Sequence, residues 1–276
     1  MSLIIVTNDD GIESPGIHAL AAILHSLGHE PVVVAPSRDM SGSSAAIGHI
    51  DFERPTEIRP IELPEPATHV RAYAIDGPPG FAALLAAQRG IDDLEPELVA
   101  SGINAGTNTG HSILHSGTVG AALTAASFGL SALAVSLAVA DPMPWDDARD
   151  SIEEALGILA EAPRSTVLNV NVPARRAKDA RGLRWATLDP FGSFRVAVAD
   201  RHEALVQLEY RATGTALDPD SDTALVESGY ATITALEAIT AIPPDELPHR
   251  EPPPQPEQRL APGPGELPTA GADEIT

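Results

Sequence analysis

Short β-rich apolar runs alternate with longer segments of helical period along most of this chain, and no other feature restricts its possible folds as much. Runs such as "LIIVT" and "PVVVAP" have the length and β-branched content of buried strands. By contrast, "PGIHALAAILHSLGH" repeats its apolar residues at helical spacing, with Ser14 and Pro15 placed to open the helix and Gly28 to close it. The series continues with "RAYAID" as strand, "GFAALLAAQRG" as helix, "ELVAS" as strand, "GTVGAALTAASFG" as helix, "ALAVSLA" as strand, "WDDARDSIEEALGILAEA" as helix and "TVLNVNVP" as strand. Strands that alternate with helices in this way build βαβ units. The expected class is α/β, a Rossmann-like three-layer core with a mainly parallel sheet.

Three regions follow from the same pass. Residues 1–181 form the core, and residues 182–242 read as a smaller β-rich extension carrying "FRVAVA", "ALVQLEY" and "YATITAL". From residue 243 to 276 the composition changes: ten of the 26 prolines fall there, with seven acids against two arginines and no aromatic residue. Such a segment buries too little to offset its ordering entropy, so a disordered acidic tail is expected. No internal repeat is visible.

Charge limits the partners. A formal net charge of -22, with no basic patch in the sequence, argues against nucleic acid and against an anionic membrane surface. The absence of cysteine removes disulfides, thiolate metal sites and thiol nucleophiles. No signal peptide is read at "MSLIIVTNDD" and no apolar stretch is long enough to span a membrane, so a cytoplasmic protein is expected.

Open parallel sheets bind ligands at the carboxyl ends of their strands. Four such ends carry polar residues here. Asn8, Asp9, Asp10 and Gly11 follow the first strand, and "SRDMSGSS", with Ser41 and Ser44, follows the second. "GINAGTNTG" supplies Asn104, Gly106 and Asn108, and "HSGTVGAAL" puts Ser116, Gly117 and Thr118 at the mouth of a helix. Two adjacent carboxylates repel each other unless a cation lies between them. An all-oxygen donor set selects a hard divalent ion such as Mg²⁺ or Mn²⁺, whereas zinc favours histidine or cysteine. The helix mouth offers backbone N–H groups to an anion, and a cation beside an anion site is what phosphate-ester hydrolysis requires. Each part alone also reads as an ordinary turn, loop serine or helix cap. His111 and His115 have helical ligand spacing, but the glycines around them leave little helix, and they read as solvated loop residues.

The order "TNDDGIESPGI", "APSRDMSGSS", "PELVASGINAGTNTG" and "HSGTVGAALTAASFGLSALAVS" closely resembles the survival protein SurE family of metal-dependent nucleotidases, and the resemblance resumes in "DSDTALVESGYATITAL". It implies a Rossmann-like core, one Mg²⁺ or Mn²⁺ ion, and release of phosphate from nucleoside 5′- or 3′-monophosphates, in some members also from polyphosphate. Position by position, it implies Asp9 and Asp10 as catalytic and metal carboxylates, with Ser41 and Asn104 completing the metal ligands. Asn8, Gly11, Ser44, Gly106, Asn108, Ser116, Gly117 and Thr118 fall on the substrate and phosphate side, with Asn8 and Gly11 shaping the first loop. The implied chemistry is in-line attack of a metal-activated water on phosphorus, with Asp9 or Asp10 accepting the proton. A homodimer or homotetramer is implied as well.

The chain departs from the family where Gly-Thr-Pro-x-Asp-Cys is replaced by "GPPGFA", residues 77–82, which bears on substrate choice. It also enters its proline-rich segment where family members often carry a helix that joins subunits. Three other classes fit the sequence less well. A response-regulator receiver needs a phospho-accepting Asp that "ELVASGINAG" does not offer. A glycosyltransferase needs a second Rossmann-like half, for which the chain is too short. A non-catalytic nucleotide binder of the same fold has no physical reason to retain four metal oxygens.

Overall fold

In the computed structural model, the central strand β1 (Leu3–Thr7) is buried on both faces, with Ile4, Ile5 and Val6 fully shielded from solvent. Residues 1–174, 181–190, 194–202, 205–212 and 214–241 are described; the expected tail lies outside them. Along β1 the side chains alternate between layers: Ile4 and Val6 join one apolar cluster and Ile5 the other. The helix α1 (Pro15–Ser26) packs Ile17, Leu20 and Leu24 into the first cluster. Removing a side chain such as Leu20 from such a site costs about 2–5 kcal/mol.

The sheet grows outward from β1. On one side lie β2 (Glu30–Pro36), β4 (Arg71–Ile75) and the edge strand β3 (Ile58–Ile61), which is antiparallel to β4. On the other lie β5 (Leu98–Ala105), β6 (Ser131–Leu137) and β7 (Val167–Val172). β4, β2, β1, β5, β6 and β7 are parallel neighbours in that order. The direction of winding reverses at β1, so the crevice between the carboxyl ends of β1 and β5 is the topological switch point. The α/β class expected from the alternation is the one observed.

Helices α2 (Pro79–Ala87) and α3 (Gly117–Ser127) cover the face opposite α1, while α4 (Arg149–Glu161) lies on the α1 side with Ile152 and Ala155 in the core. The inner positions of α3 are alanines, among them Ala121, Ala122 and Ala125, which lets it approach α2 and the sheet closely. No helix among the described residues is long and apolar enough to cross a membrane.

The segment read as a β-rich extension is divided. β8 (Leu183–Trp185) and β11 (Ala231–Leu236) join the main sheet, β11 antiparallel to β7 and β8 parallel to β11, giving nine strands. The short helix α5 (Asp222–Glu227) precedes β11. Among the described residues, β9 (Phe194–His202) and β10 (Leu205–Ala212) pair only with each other. β3, β8 and α5 escape the sequence reading because each is short, with Pro60 interrupting β3 and only six residues in α5.

Candidate functional site

The switch point gathers the ends of β1 and β2, the bulged end of β5 and the start of α3. Asp9 is 4% exposed, and both its oxygens face α3: the Gly117 N–H donates to Oδ2 at 3.1 Å, and the Thr118 hydroxyl donates to Oδ1 at 2.5 Å. The free Gly117 N–H expected for an anion is therefore engaged by Asp9. A carboxylate at a helix start is stabilised by the N–H groups and the helix dipole, so the chain supplies its own anion. Ser116 acts as the helix cap, its Oγ accepting from the Val119 N–H at 3.1 Å.

Asp10 differs from its neighbour. It is only partly buried, yet its Oδ2 is shielded and has no hydrogen-bond partner. Burial, the charge of Asp9 and the charge of Asp39 push its carboxyl up to about 6. Asn8 donates its amide to the Gly11 carbonyl at 3.0 Å, which shapes the loop, and leaves Oδ1 buried without a partner.

The serine loop is held by backbone contacts. The Met40 N–H donates to the Asp9 carbonyl at 2.7 Å, linking the loops after β1 and β2. Ser41 is exposed and gives both its hydroxyl, at 2.6 Å, and its N–H, at 2.8 Å, to Asp39 Oδ1; those bonds hold Asp39 below the usual carboxylate range. Ser44 donates to the Leu114 carbonyl at 2.6 Å, fastening the loop to the turn before α3. The loop backbone presses into a notch: a Cβ on Gly120 would stand 2.1 Å from the Ser44 carbonyl oxygen, and one on Gly80 would stand 2.6 Å from that of Ala46. The "GPPGFA" departure thus meets the site through the bare backbone of Gly80, while Phe81 is buried in the core and Pro78 is the N-cap of α2.

On β5, pairing with β6 shifts register between Ser101 and Asn104, a bulge that re-aims the strand end. Asn104 donates its amide to the Gly106 carbonyl at 2.7 Å, leaving the side-chain oxygen as its remaining acceptor. Asn108, expected on the substrate side, is committed to the loop. Its N–H donates to Asn171 Oδ1, its amide to Ser136 Oγ, and its carbonyl accepts from both Asn169 and Asn171, all at 2.7–2.9 Å. His111 and His115 are exposed. Sequence reading missed Asn169, Asn171, Asp39 and Asp222. The two asparagines had a signal: "LNVNV" places amides two apart in an otherwise apolar, fully buried strand.

The donor set suits a divalent cation. Buried oxygens without a donor, Asn8 Oδ1 and Asp10 Oδ2, each carry a cost of about 1–3 kcal/mol that a cation would remove. The site also depends on the missing side chain of Gly117, where a Cβ would lie 2.7 Å from both Asp9 Oδ2 and Ser43 Oγ. Among the described residues no three His, Asp or Glu side chains are grouped to hold a metal. A cation here would rest on two carboxylates, neutral oxygens and water, which is how Mg²⁺ is held.

Comparison with known proteins adds an independent line. The family described as "Survival protein SurE" matches residues 4–190. A curated protein of Symbiobacterium thermophilum, "5'-nucleotidase SurE", is 37% identical over 243 residues, covering 86% of this chain and 92% of the relative. "5'-nucleotidase SurE 1" of Burkholderia lata is 32% identical over 243 residues, covering 85% and 90%. The crystal structure of the SurE protein from Aquifex aeolicus superposes with a TM-score of 0.72 at 28% identity, covering 87% of this chain and 94% of that one.

Proposed function

The chain belongs to the survival protein SurE family, and on that premise we propose that it is a divalent-metal-dependent phosphatase of nucleoside monophosphates, acting on 5′- and also on 3′-phosphates or polyphosphate ends. A phosphomonoester hydrolase of the 5′-nucleotidase kind is supported by the printed names of relatives that align with most of this chain. The observation that carries the reading is the contrast between two adjacent acids: Asp9 is fixed on α3 through both oxygens, and Asp10 holds a shielded oxygen that accepts no hydrogen bond from the described residues.

Asp9, Asp10, Ser41 and Asn104 would hold the ion, either Mg²⁺ or Mn²⁺. When bound, that ion supplies Lewis acidity, withdrawing charge from phosphoryl oxygens and making a nearby water a better nucleophile. The rest falls to the chain. Gly117 and Thr118 keep Asp9 in one orientation, and Asp39 keeps Ser41 in one rotamer. Of the two acids we assign Asp10 to the proton, because Asp9 spends both oxygens on α3: the Asp10 carboxylate would take the proton of the attacking water as oxygen adds to phosphorus and return it to the ester oxygen as that bond breaks. Ser44, Gly106 and Asn108 hold the loops in place around the substrate, and Asn8 with Gly11 shapes the turn beneath it.

We place the protein in the cytoplasm and assign it a homo-oligomeric state, a dimer or tetramer joined through the β9 and β10 hairpin. Val196, Val198 and Leu208 lie on its strands and are at least 40% exposed, and a two-stranded hairpin is marginal in water unless something covers its apolar face. The deciding experiment is phosphate release from a panel of nucleoside monophosphates, polyphosphate and a generic phosphate ester, with Mn²⁺, with Mg²⁺ and with chelator. Metal-dependent release that prefers nucleotides is expected. Nucleotide binding without release under either metal would leave the non-catalytic binder instead.

A further inference from the structure

We propose that Asp222 is a positioning residue of this site, clamping from behind the loop that carries Asn104 at one end and leads to Ser116 at the other. The inference rests on the metal-site reading above for its functional consequence, and on geometry alone for the clamp. Asp222 is fully buried at the start of α5, remote in sequence from the loops of the switch point. Its Oδ2 accepts the Gly110 N–H at 2.8 Å. Its Oδ1 accepts the Asp189 N–H at 3.1 Å, the Thr223 N–H at 2.8 Å and the Thr223 hydroxyl at 3.3 Å. Both oxygens act as acceptors for four donors, which favour the carboxylate, although burial outweighs them and pushes the carboxyl above its ordinary value.

Gly110 is the right place to grip. It lies midway in sequence between Asn104 and Ser116, and its φ of +56° is one that a side chain rarely tolerates. A Cβ there would meet the Asp189 carbonyl oxygen at 2.6 Å, so the backbone is pressed into a cradle made by Asp189 and Asp222. Two residues earlier, Asn108 is gripped by Asn169, Asn171 and Ser136. Held at both points, the loop cannot slide, and the end of β5 with Asn104 is tethered to β6, β7 and α5.

Asp222→Asn isolates this role because it keeps the volume. An amide oxygen satisfies the three donors on the Asp189 and Thr223 side, which turns the NH₂ toward the Gly110 N–H, donor against donor. Hydrogen exchange and Mn²⁺ titration test the clamp without catalysis, and KM against kcat adds a third readout. Hydrogen exchange of the wild-type protein should show the Gly110 amide protected, and the folded Asp222→Asn variant should lose that protection across residues 104–116. Mn²⁺ titration of the same variant, well below its melting temperature, should give a dissociation constant about tenfold weaker, with KM for nucleotide rising more than kcat falls. Rapid exchange at Gly110 in the wild type overturns the clamp even if the variant does not fold. A protected Gly110 with Mn²⁺ affinity and KM unchanged in the variant reduces Asp222 to a structural residue and overturns the positioning role. If the wild type binds no Mn²⁺ at all, the metal-site reading and the positioning role both fail, and the exchange data show separately whether the clamp exists.

Discussion

Asp9 and Gly117 are joined by a 3.1 Å hydrogen bond from the helix N-terminus to the carboxylate, so the first strand and the third helix meet at one acidic side chain. That bond divides the labour of two neighbouring acids, and the division can be tested. Asp9→Asn would turn an NH₂ toward the Gly117 N–H or the Thr118 hydroxyl. We expect it to cost about 1–3 kcal/mol of stability, seen as a lower urea midpoint, together with loss of Mn²⁺ binding.

Asp10→Asn breaks no hydrogen bond of the folded chain. It should leave the urea midpoint unchanged or raised, while metal-dependent phosphate release falls about 10²–10³-fold, a loss typical for one charge-stabilising group. Full activity in this variant would remove Asp10 from the site.

The pH dependence follows from the raised carboxyl of Asp10. Its value of about 6 in the metal-free protein exceeds the ordinary 3.8, so the folded state binds that proton more tightly than the unfolded chain does. The stabilisation it contributes is fully present below pH 3.8 and is lost as pH rises through 6. Mn²⁺ competes with the same proton, so its affinity should climb across that window. Urea unfolding in chelator and Mn²⁺ titration at several pH values would check both slopes, with Asp10→Asn as the variant in which they vanish.

Two glycines in helices should respond in opposite directions. Gly120→Ala drives a Cβ into the Ser44 carbonyl, displacing the serine loop. It should cost about 1–3 kcal/mol and lower activity through Ser41. Gly157→Ala, on the exposed face of α4 with nothing within 4 Å, should stabilise by about 0.5–1 kcal/mol and leave activity alone. Denaturation and phosphate-release assays on the pair give the answer.

Val198 and Leu208 face each other across the hairpin, both exposed. Leu208→Glu should shift the oligomer to monomers in size-exclusion chromatography with light scattering while each chain keeps its activity. An unchanged mass would place the subunit contact elsewhere.

The parallel core was legible because β-branched runs such as Val32–Val34 and helical spacing such as Ile17, Leu20 and Leu24 are set by burial, which every residue in the run obeys. The strand ends stood out for a related reason, since Asp9 and Asp10 violate that rule at the carboxyl end of a strand, where open parallel sheets bind ligands. What could not be read was pairing between distant polar groups. Nothing local to Gly117 announces that its N–H meets Asp9, and nothing near Gly110 points to Asp222. The loop-holding bonds of Asn108 were hidden for the same reason, since all four involve residues on β6 and β7, outside its own loop.

The pairing of β1 with β5 has a consequence for biosynthesis. The acidic loop leaves the ribosome ahead of β2, β3, β4 and α2, its neighbour in the sheet follows only after them, and Asp222 comes later still. Contacts this distant in sequence form late, after the cost of closing the intervening chain has been met. A nascent chain therefore displays Asp9 and Asp10 long before the α3 start that holds Asp9 exists, and the loop that Asp222 clamps is fixed only after α5 has formed.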